Sequence, residues 1–101
     1  MMDVKMISGV EEYATKQEKV GEKNRTLYMV GEKVFLVENK NTIEVRCDRE
    51  LAKLLQAKYE SVMESRYFGR GGIEIVMSGQ LEKTELEDLV RLSYNLSRNT
   101  I

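Results

Sequence analysis

The chain has 101 residues, of which 42% are hydrophobic and 33% charged, and 16 basic against 17 acidic side chains give a formal charge of −1. These values predict one domain over residues 1–101, and they exclude both a largely disordered chain and a globally basic nucleic-acid-binding protein. With no histidine and a single cysteine, the chain lacks the commonest general base at neutral pH, and it can form neither an internal disulfide nor a zinc site of histidines and cysteines.

The first predicted element is a helix over about residues 9–20. Ser8 and Glu11 have the spacing of a capping box, which satisfies free backbone N–H groups at the start of a helix. Gly21 is a typical residue at a helix end. The predicted helix has a thin apolar stripe that consists of Val10, Tyr13, Ala14 and Val20.

Two strand-like runs come next and predict a hairpin. Residues 25–30 and 33–38 are rich in residue types that favour strands. Gly31 and Glu32 lie between them, and glycine at the first central position is typical of a type II′ turn. We therefore expect the two runs to pair as antiparallel strands.

A third strand is predicted over residues 42–47, after a turn at residues 39–41. The run alternates strictly between apolar and polar residues, which is the pattern of a strand with one face in water. The positions predicted to face the core are Ile43, Val45 and Cys47. The positions predicted to face solvent are Glu44 and Arg46.

A second helix is predicted after Asp48, which is a favourable N-cap residue. The side chains predicted on its buried face are Leu51, Leu54, Leu55 and Tyr59. Beyond this helix the hydrophobic period fades, so we expect Val62 and Met63 to be isolated apolar contacts and residues 66–68 to be a short strand. Residues 69–72 contain three glycines and predict a turn or loop.

The last two predicted elements are a strand over residues 73–77 and a helix over about residues 84–97. The strand alternates, which predicts burial of Ile73, Ile75 and Met77. The side chains predicted on the buried side of the helix are Leu86, Leu89, Val90, Ser93 and Leu96. Because a buried hydroxyl needs a partner, Ser93 is predicted to bond the carbonyl of Leu89.

The predicted order of elements is α-β-β-β-α-β-β-α, and three helices against one face of an antiparallel sheet form a two-layer α+β sandwich. No composition break, internal repeat or low-complexity tract indicates a domain boundary. No apolar run approaches the length of a membrane span, and the N-terminus lacks the apolar stretch of a signal peptide. Together with the single cysteine, this predicts a cytoplasmic protein without membrane contact.

A series of short motifs runs through most of the chain in a fixed order. It includes residues 31–35 (Gly-Glu-Lys-Val-Phe), the helix after Asp48, residues 78–81 (Ser-Gly-Gln-Leu) and residues 93–96 (Ser-Tyr-Asn-Leu). Over residues 25–98 this series resembles the MmcQ/YjbR family of small bacterial proteins. The resemblance implies an α+β fold like that of secretion chaperones. It also implies a function, because the family is described as predicted DNA-binding proteins with a double-wing motif.

Two features depart from the family pattern. The family usually carries a tryptophan at the entry to the strand where this chain has residues 71–73 (Gly-Gly-Ile). The residues before that strand often include asparagine and either lysine or histidine, whereas residues 68–70 of this chain are Phe-Gly-Arg. If the ligand of the family stacks on the tryptophan, this chain lacks the contact or uses Tyr67 and Phe68 in its place.

Residues 66–72 are the strongest candidate for a binding segment. Arg66 and Arg70 are suited to hold phosphate, and Tyr67 is suited to stack on a base. The glycines would let backbone N–H groups approach an anion. The alternative interpretation is a flexible turn with two solvated arginines and two aromatic side chains in the core.

Lys33 and Arg46 extend this candidate site, because they fall where the family tends to carry lysine. Together with Arg25, Lys40 and Arg49, they would form a local basic strip on an almost neutral protein. The alternative is ordinary cross-strand pairing of these cations with glutamates. The glutamates available for such pairing are Glu32, Glu38 and Glu44.

The leading hypothesis is a non-catalytic module that binds DNA and needs no cofactor or metal. Its predicted contact residues are Lys33, Arg46, Arg66, Tyr67 and Arg70. The alternative hypothesis is a protein-interaction module that uses an open sheet face or a sheet edge. Its sign would be apolar residues on the open face, namely Val30, Phe35, Val37 and Val76. An enzyme that uses carboxylates and a divalent metal is a third hypothesis.

Overall fold

Six antiparallel strands and two helices make up the computed structural model, which describes residues 2–99 apart from the side chain of Asn99. The strands are β1 (Ala14–Val20), β2 (Lys23–Val30), β3 (Lys33–Glu38), β4 (Thr42–Arg46), β5 (Val62–Ser65) and β6 (Gly69–Val76). The helices are α1 (Arg49–Lys58) and α2 (Lys83–Asn99), and a short 3₁₀ turn spans Val4–Met6. The order of strands across the sheet is β1-β2-β3-β4-β6-β5.

Both helices lie on one face of the sheet. α2 packs on β3 and β4, and α1 packs on β6 and β5. Ala52 of α1 and Val90 of α2 join Ile43 and Ile75 of the sheet in one buried cluster, and removal of this apolar surface from water is the main force that holds the two layers together. The predicted two-layer α+β sandwich is therefore confirmed, although two helices take the place of three. No helix within residues 2–99 is long and apolar enough to span a membrane.

The predicted helix over residues 9–20 is wrong, because most of this segment forms the edge strand β1. Gly21 and Glu22 close a hairpin between β1 and β2, and Gly21 has a φ of 65° that glycine adopts without strain. Nearly every side chain of β1 is exposed, so the strand shows no alternation of apolar and polar residues. Its lysines and glutamate favour a helix locally, and pairing with β2 overrides this preference.

The segment between the helices also differs from the prediction. Val62 and Met63 are the first residues of β5 rather than isolated contacts, and Val62 is buried whereas 41% of Met63 is exposed. Residues 66–68, predicted as a strand, form the turn that leads into β6. Residues 69–72, predicted as a turn, begin β6 itself. Three glycines indicate a turn by composition, but here they lie in a strand that has neighbours on both sides.

The hairpin between β2 and β3 and the start of α1 are confirmed. Gly31 has a φ of 62° and occupies the first central position of the turn, as predicted. The carboxylate of Asp48 accepts hydrogen bonds from the backbone N–H groups of Glu50 at 3.1 Å and Leu51 at 3.4 Å, so Asp48 is the N-cap of α1. The prediction for Leu54 is wrong, because 67% of this side chain is exposed.

The alternation of β4 predicts one face correctly and the other incorrectly. Ile43, Val45 and Cys47 are buried as expected. Glu44, predicted to face solvent, is only 1% exposed, and Arg46 is half-buried. The reason is that the turn between β5 and β6 covers the face opposite the helices at β4.

Ser93 of α2 bridges an irregular point in the sheet. β3 has a bulge at Phe35, and its regular pairing with β4 begins only at Leu36. Where this ladder stops, the Ser93 hydroxyl donates to the carbonyl of Phe35 at 2.5 Å and accepts from the N–H of Arg46 at 2.8 Å. The predicted bond to the Leu89 carbonyl is therefore wrong, and the hydroxyl bonds backbone groups of the sheet instead of a carbonyl of its own helix.

We predict that Ser93→Ala lowers the free energy of unfolding by about 2–4 kcal/mol, because a buried donor and a buried acceptor both lose their partner. Urea unfolding monitored by circular dichroism measures this change. Ser78→Ala, at an exposed residue, is the matched control and should change stability by less than about 0.5 kcal/mol. Equal effects from the two variants would contradict the bridging role.

Candidate functional site

The face of the sheet opposite the helices is partly covered by the turn between β5 and β6. In this turn, Phe68 packs against a small second core that contains Leu27, Val34 and Val37. Gly72 permits the approach, because a Cβ at this position would lie 2.6 Å from the Cβ of Phe68. The turn therefore acts as a partial third layer over the centre of the sheet.

Two glutamates lie side by side beneath this turn. Glu44 and Glu74 are cross-strand partners on β4 and β6, and their exposures are 1% and 2%. The carboxylate of Glu44 accepts hydrogen bonds from Asn39 Nδ2 at 2.9 Å, Ser65 Oγ at 2.8 Å and the backbone N–H of Tyr67 at 2.9 Å. Because Tyr67 belongs to the turn and Ser65 precedes it, Glu44 fixes the turn to the sheet.

Glu74 is held by Arg66 and Thr42. Arg66 donates from Nε to Oε1 at 3.0 Å and from Nη2 to Oε2 at 2.7 Å, and Thr42 Oγ1 donates to Oε2 at 2.8 Å. Burial is the largest single influence on the pKa of Glu74 and raises it, but the hydrogen bonds from Arg66 and Thr42 and the charge of Arg66 together lower this pKa below its ordinary value. The bond to Glu74 likewise raises the pKa of Arg66.

Cations and aromatic rings alternate across the same turn. The Arg46 guanidinium lies 4.8 Å from the centre of the Phe68 ring, and its Nε donates to the carbonyl of Val34 at 2.7 Å. The Tyr67 and Phe68 rings meet edge to face with centres 4.9 Å apart. Arg25 of β2 lies 5.1 Å from the centre of the Tyr67 ring. These contacts bring β2, β4 and the turn into one rigid surface.

A groove of about 720 Å³ lies beside this surface. Its walls are the β1–β2 turn and the β3–β4 turn, which lie at the same end of the sheet because successive hairpins of a meander alternate between its two ends. The cations that line it are Lys23, Arg25, Lys40 and Arg66. The acidic residues that line it are Glu22 and Glu44, and the carboxylate of Glu44 already accepts hydrogen bonds from Asn39 and Ser65. We call this feature the hairpin groove.

The four cations of the hairpin groove differ in how they are engaged. Arg25 binds Glu18 on the neighbouring strand, with Nε 2.7 Å from Oε1, and Arg66 binds Glu74. The side chains of Lys23 and Lys40 are exposed and make no hydrogen bond or ion pair with any residue in the described part of the chain. Positive charge at the mouth of the groove is therefore available to an external anion.

The structure brings together some of the five residues predicted to contact nucleic acid. Arg46, Arg66 and Tyr67 lie on the face opposite the helices, and Arg70 is exposed and shares this face by strand alternation with Gly72. Lys33 lies on the other face, because it pairs with the core residue Val30 across the hairpin and cross-strand partners project to the same side.

The sequence-based prediction omits some groups at this site and assigns others a smaller part than the structure gives them. Lys23 is absent because a helix is predicted over residues 9–20, which leaves no hairpin before it. The signal is nevertheless present, since Lys23 and Lys40 each lie at a β-turn of an antiparallel meander and such turns collect at the ends of a sheet. The buried pair of Glu44 and Glu74 has no sequence signal, because alternation places Glu44 in solvent.

The remaining candidates for chemistry are few. No group of three or more histidine, cysteine, aspartate or glutamate side chains within residues 2–99 is arranged to hold a metal ion. Cys47 is 4% exposed, and burial, with a smaller contribution from Asp48, raises the pKa of its thiol to about 11. This thiol is therefore protonated at neutral pH and packs as a small apolar side chain, as predicted.

We predict that Gly72→Ala destabilises the protein by about 1–3 kcal/mol, because the new methyl group overlaps both Phe68 of the turn and the Val45 carbonyl oxygen of β4 and forces them apart. Gly71→Ala is the matched control, since its Cβ would meet only the Phe68 carbonyl oxygen at an ordinary 3.7 Å. Urea unfolding of both variants tests this. A Gly71→Ala variant as unstable as Gly72→Ala would contradict the role assigned to the turn.

We predict that Arg66→Gln lowers stability at pH 7 by about 1–2 kcal/mol, toward the low end because 75% of the Arg66 side chain is exposed. The lowered pKa of Glu74 stabilises the fold only above the pKa of an unfolded glutamate, and this contribution is lost as the pH falls through the folded value. The difference between wild type and variant should therefore persist from pH 7 down to pH ~4.3, the ordinary pKa of a glutamate, and shrink as the pH falls further.

Urea unfolding at several pH values measures this difference. Arg70→Gln, which removes the same charge from an exposed residue of β6, is the control and should change stability little at any pH. A pH-independent loss of stability in Arg66→Gln would show that the ion pair with Glu74 is not its cause.

Comparison with known proteins agrees with this architecture. The model of the YjbR family matches residues 9–96, which include all six strands and most of α2. Neither the curated proteins nor the solved structures that were searched gave a significant match. Because the family match covers most of the chain, from before β1 into the last turn of α2, the protein belongs to the YjbR family.

Proposed function

We propose that this protein is a non-catalytic binding module that takes up nucleic acid, DNA in the first instance, in the hairpin groove. The observation that carries the proposal is the convergence of Lys23, Arg25, Lys40 and Arg66 on one groove of a chain whose net charge is −1. Attraction of phosphates by clustered lysines and arginines is the main source of sequence-independent affinity for nucleic acids.

Each cation has a distinct part in the proposed contact. Lys23 and Lys40 lie at the two turns and are suited to meet successive phosphates of a strand that crosses the mouth of the groove. Arg66 uses Nε and Nη2 for Glu74, so its remaining N–H donors can bond a phosphate oxygen while the ion pair persists. Tyr67 is 38% exposed next to Arg25 and offers an aromatic surface for a base.

The proposal changes the membership of the predicted site. Arg46 is half-buried against Phe68 and bonds the Val34 carbonyl, so in this proposal it holds the turn in place and does not contact the ligand. Lys33 lies on the opposite face of the sheet. Arg70 remains a candidate contact at the margin of the site, because it is exposed and shares the face of Arg66. A contact with few phosphates implies weak binding whose dependence on salt is correspondingly shallow.

A protein-interaction module is the second candidate function. The open-face version has little support, because Val30, Phe35 and Val37 are buried and only Val76 is half-buried. The edge version is favoured by β1, which lies at the edge of the sheet with almost all its side chains exposed. In either case the buried free thiol of Cys47 suits a reducing compartment, and we place the protein in the cytoplasm as part of this proposal.

We predict that the double variant Lys23→Ala/Lys40→Ala binds a fluorescent oligonucleotide about tenfold or more weakly than wild type at low salt. The slope of log affinity against log salt should become shallower by about two units, because two phosphates are no longer neutralised by lysine. Fluorescence anisotropy titrations with single-stranded and duplex DNA measure both quantities.

The control is Lys53→Ala/Lys83→Ala, which removes the same charge from exposed positions on α1 and at the start of α2. It should leave the affinity and the salt slope near the wild-type values. The proposal is wrong if wild type binds neither kind of DNA at low salt, or if the control pair weakens binding as much as the groove pair.

A further inference from the structure

The unpaired side of β1 is the longest free strand edge within residues 2–99. β1 has seven residues and pairs only with β2, whereas the other edge strand, β5, has four. An exposed strand edge carries unpaired backbone N–H and C=O groups and can accept another strand. Natural proteins protect such edges with charged side chains, so the charges on β1 decide which strand it can accept.

The sequence of β1, Ala-Thr-Lys-Gln-Glu-Lys-Val, is complementary to itself when two copies run antiparallel. With Gln17 on the two-fold axis, Lys16 of each copy faces Glu18 of the other, and Ala14 faces Val20. Opposite charges and apolar pairs directly across two strands are stabilising. In this register, the charges that discourage other strands form two ion pairs, and the apolar residues at the two ends of β1 form two apolar contacts.

Neighbouring registers lack this match. A shift of one residue in one direction places Lys16 opposite Lys19, and like charges across two strands repel. A shift of one residue in the other direction places Lys16 opposite Gln17 and leaves the charge without a partner. The charge pattern thus selects the register centred on Gln17 and specifies a second copy of this chain as the occupant of the edge.

The surroundings of β1 are compatible with this pairing. Lys16, Glu18 and Val20 lie on the face opposite the helices, because they pair with Leu27, Arg25 and Lys23 of β2. Lys16 makes no ion pair within the described residues, and Val20 is 51% exposed. Glu18 already binds Arg25, which positions its carboxylate on this face for a second cation.

We propose that two copies of this chain associate edge to edge through β1, as an antiparallel two-fold dimer with Gln17 at its centre and a continuous sheet of twelve strands. In such a dimer, equivalent faces of the two sheets lie on the same side, so all four helices lie on one side and both hairpin grooves on the other. Seven residue pairs bury less surface than a typical stable interface, so the dimer is expected to be weak and concentration-dependent.

A charge-reversal series tests this proposal on the full chain. Lys16→Glu places a glutamate of each copy against Glu18 of the other, and Glu18→Lys places a lysine of each copy against Lys16 of the other. By sedimentation velocity over a range of protein concentrations, each variant should dimerise about tenfold or more weakly than wild type. An equimolar mixture of the two variants should restore dimerisation, because each glutamate then faces a lysine. Lys53→Glu on α1 is the control and should dimerise as wild type does.

Glu18→Lys also removes the partner of Arg25 and could weaken dimerisation for that reason alone. A cross-linking experiment tests the same register without this variant. In the proposed register the two Gln17 Cα atoms lie about 5 Å apart, within reach of a disulfide, whereas the two Thr15 Cα atoms lie about 14 Å apart. Under mild oxidation, Gln17→Cys should form a covalent dimer and Thr15→Cys should not. Cys47 is 4% exposed and does not compete.

The possible outcomes separate clearly. Recovery of the dimer in the mixed variants, with cross-linking at residue 17 but not at residue 15, supports the proposal. A wild type that stays monomeric at all concentrations overturns it, as does equal cross-linking at both positions. Nucleic acid binding by a strict monomer would overturn the dimer and leave the proposed function standing.

Discussion

Two carboxylates buried side by side each need several hydrogen-bond donors, and this requirement shapes one whole face of the protein. Glu44 and Glu74 are nearly inaccessible, and several of their donors come from the segment that links β5 to β6. The turn must therefore lie on the sheet for either glutamate to keep these hydrogen bonds. Once it lies there, Phe68 covers the small second core, and Arg66 and Tyr67 are fixed beside the hairpin groove. The buried glutamates thus hold the turn in place, and the turn in its place positions the residues of the candidate site.

The same arrangement explains how an almost neutral chain gains a local excess of positive charge. Two glutamates beside the groove are buried: Glu44 bonds backbone and hydroxyl groups, and Glu74 pairs with a largely exposed arginine. Lysines remain at the turns, where the side chains of Lys23 and Lys40 have no internal partner among the described residues. Net charge therefore says little about this surface, because Glu44 and Glu74 are buried whereas Lys23 and Lys40 are exposed. What matters for an anionic ligand is the sign of the groups that water can reach.

Sequence patterns predicted those parts of the fold in which local and tertiary preferences agree. The β2–β3 hairpin, the cap at Asp48 and the apolar face of β4 follow from turn chemistry, capping and alternation. The predictions failed where a contact distant in sequence decides the outcome. The exposed strand β1 is specified by its partner β2, the glycines before Ile73 by the approach of Phe68, and the burial of Glu44 by a turn more than twenty residues away. Arginine-rich composition pointed to residues 66–72 as the candidate segment, but only the three-dimensional structure shows that Arg46 is half-buried against Phe68 and that Lys33 lies on the other face.

The edge strand and the hairpin groove are linked by their positions. Val20 ends β1 and also lines the groove, so pairing of two β1 strands would join two grooves through one continuous sheet. Each groove alone offers few cations, and a strand held by few phosphate contacts dissociates easily. A nucleic acid that reaches both grooves would gain a second contact without a second diffusional search, so its affinity would rise through effective concentration. By linkage, such a ligand would also favour the dimer to the same extent, since free energy gained by bridging is shared between the two equilibria. A weak interface and a weak site can in this way support one another, although neither is strong alone.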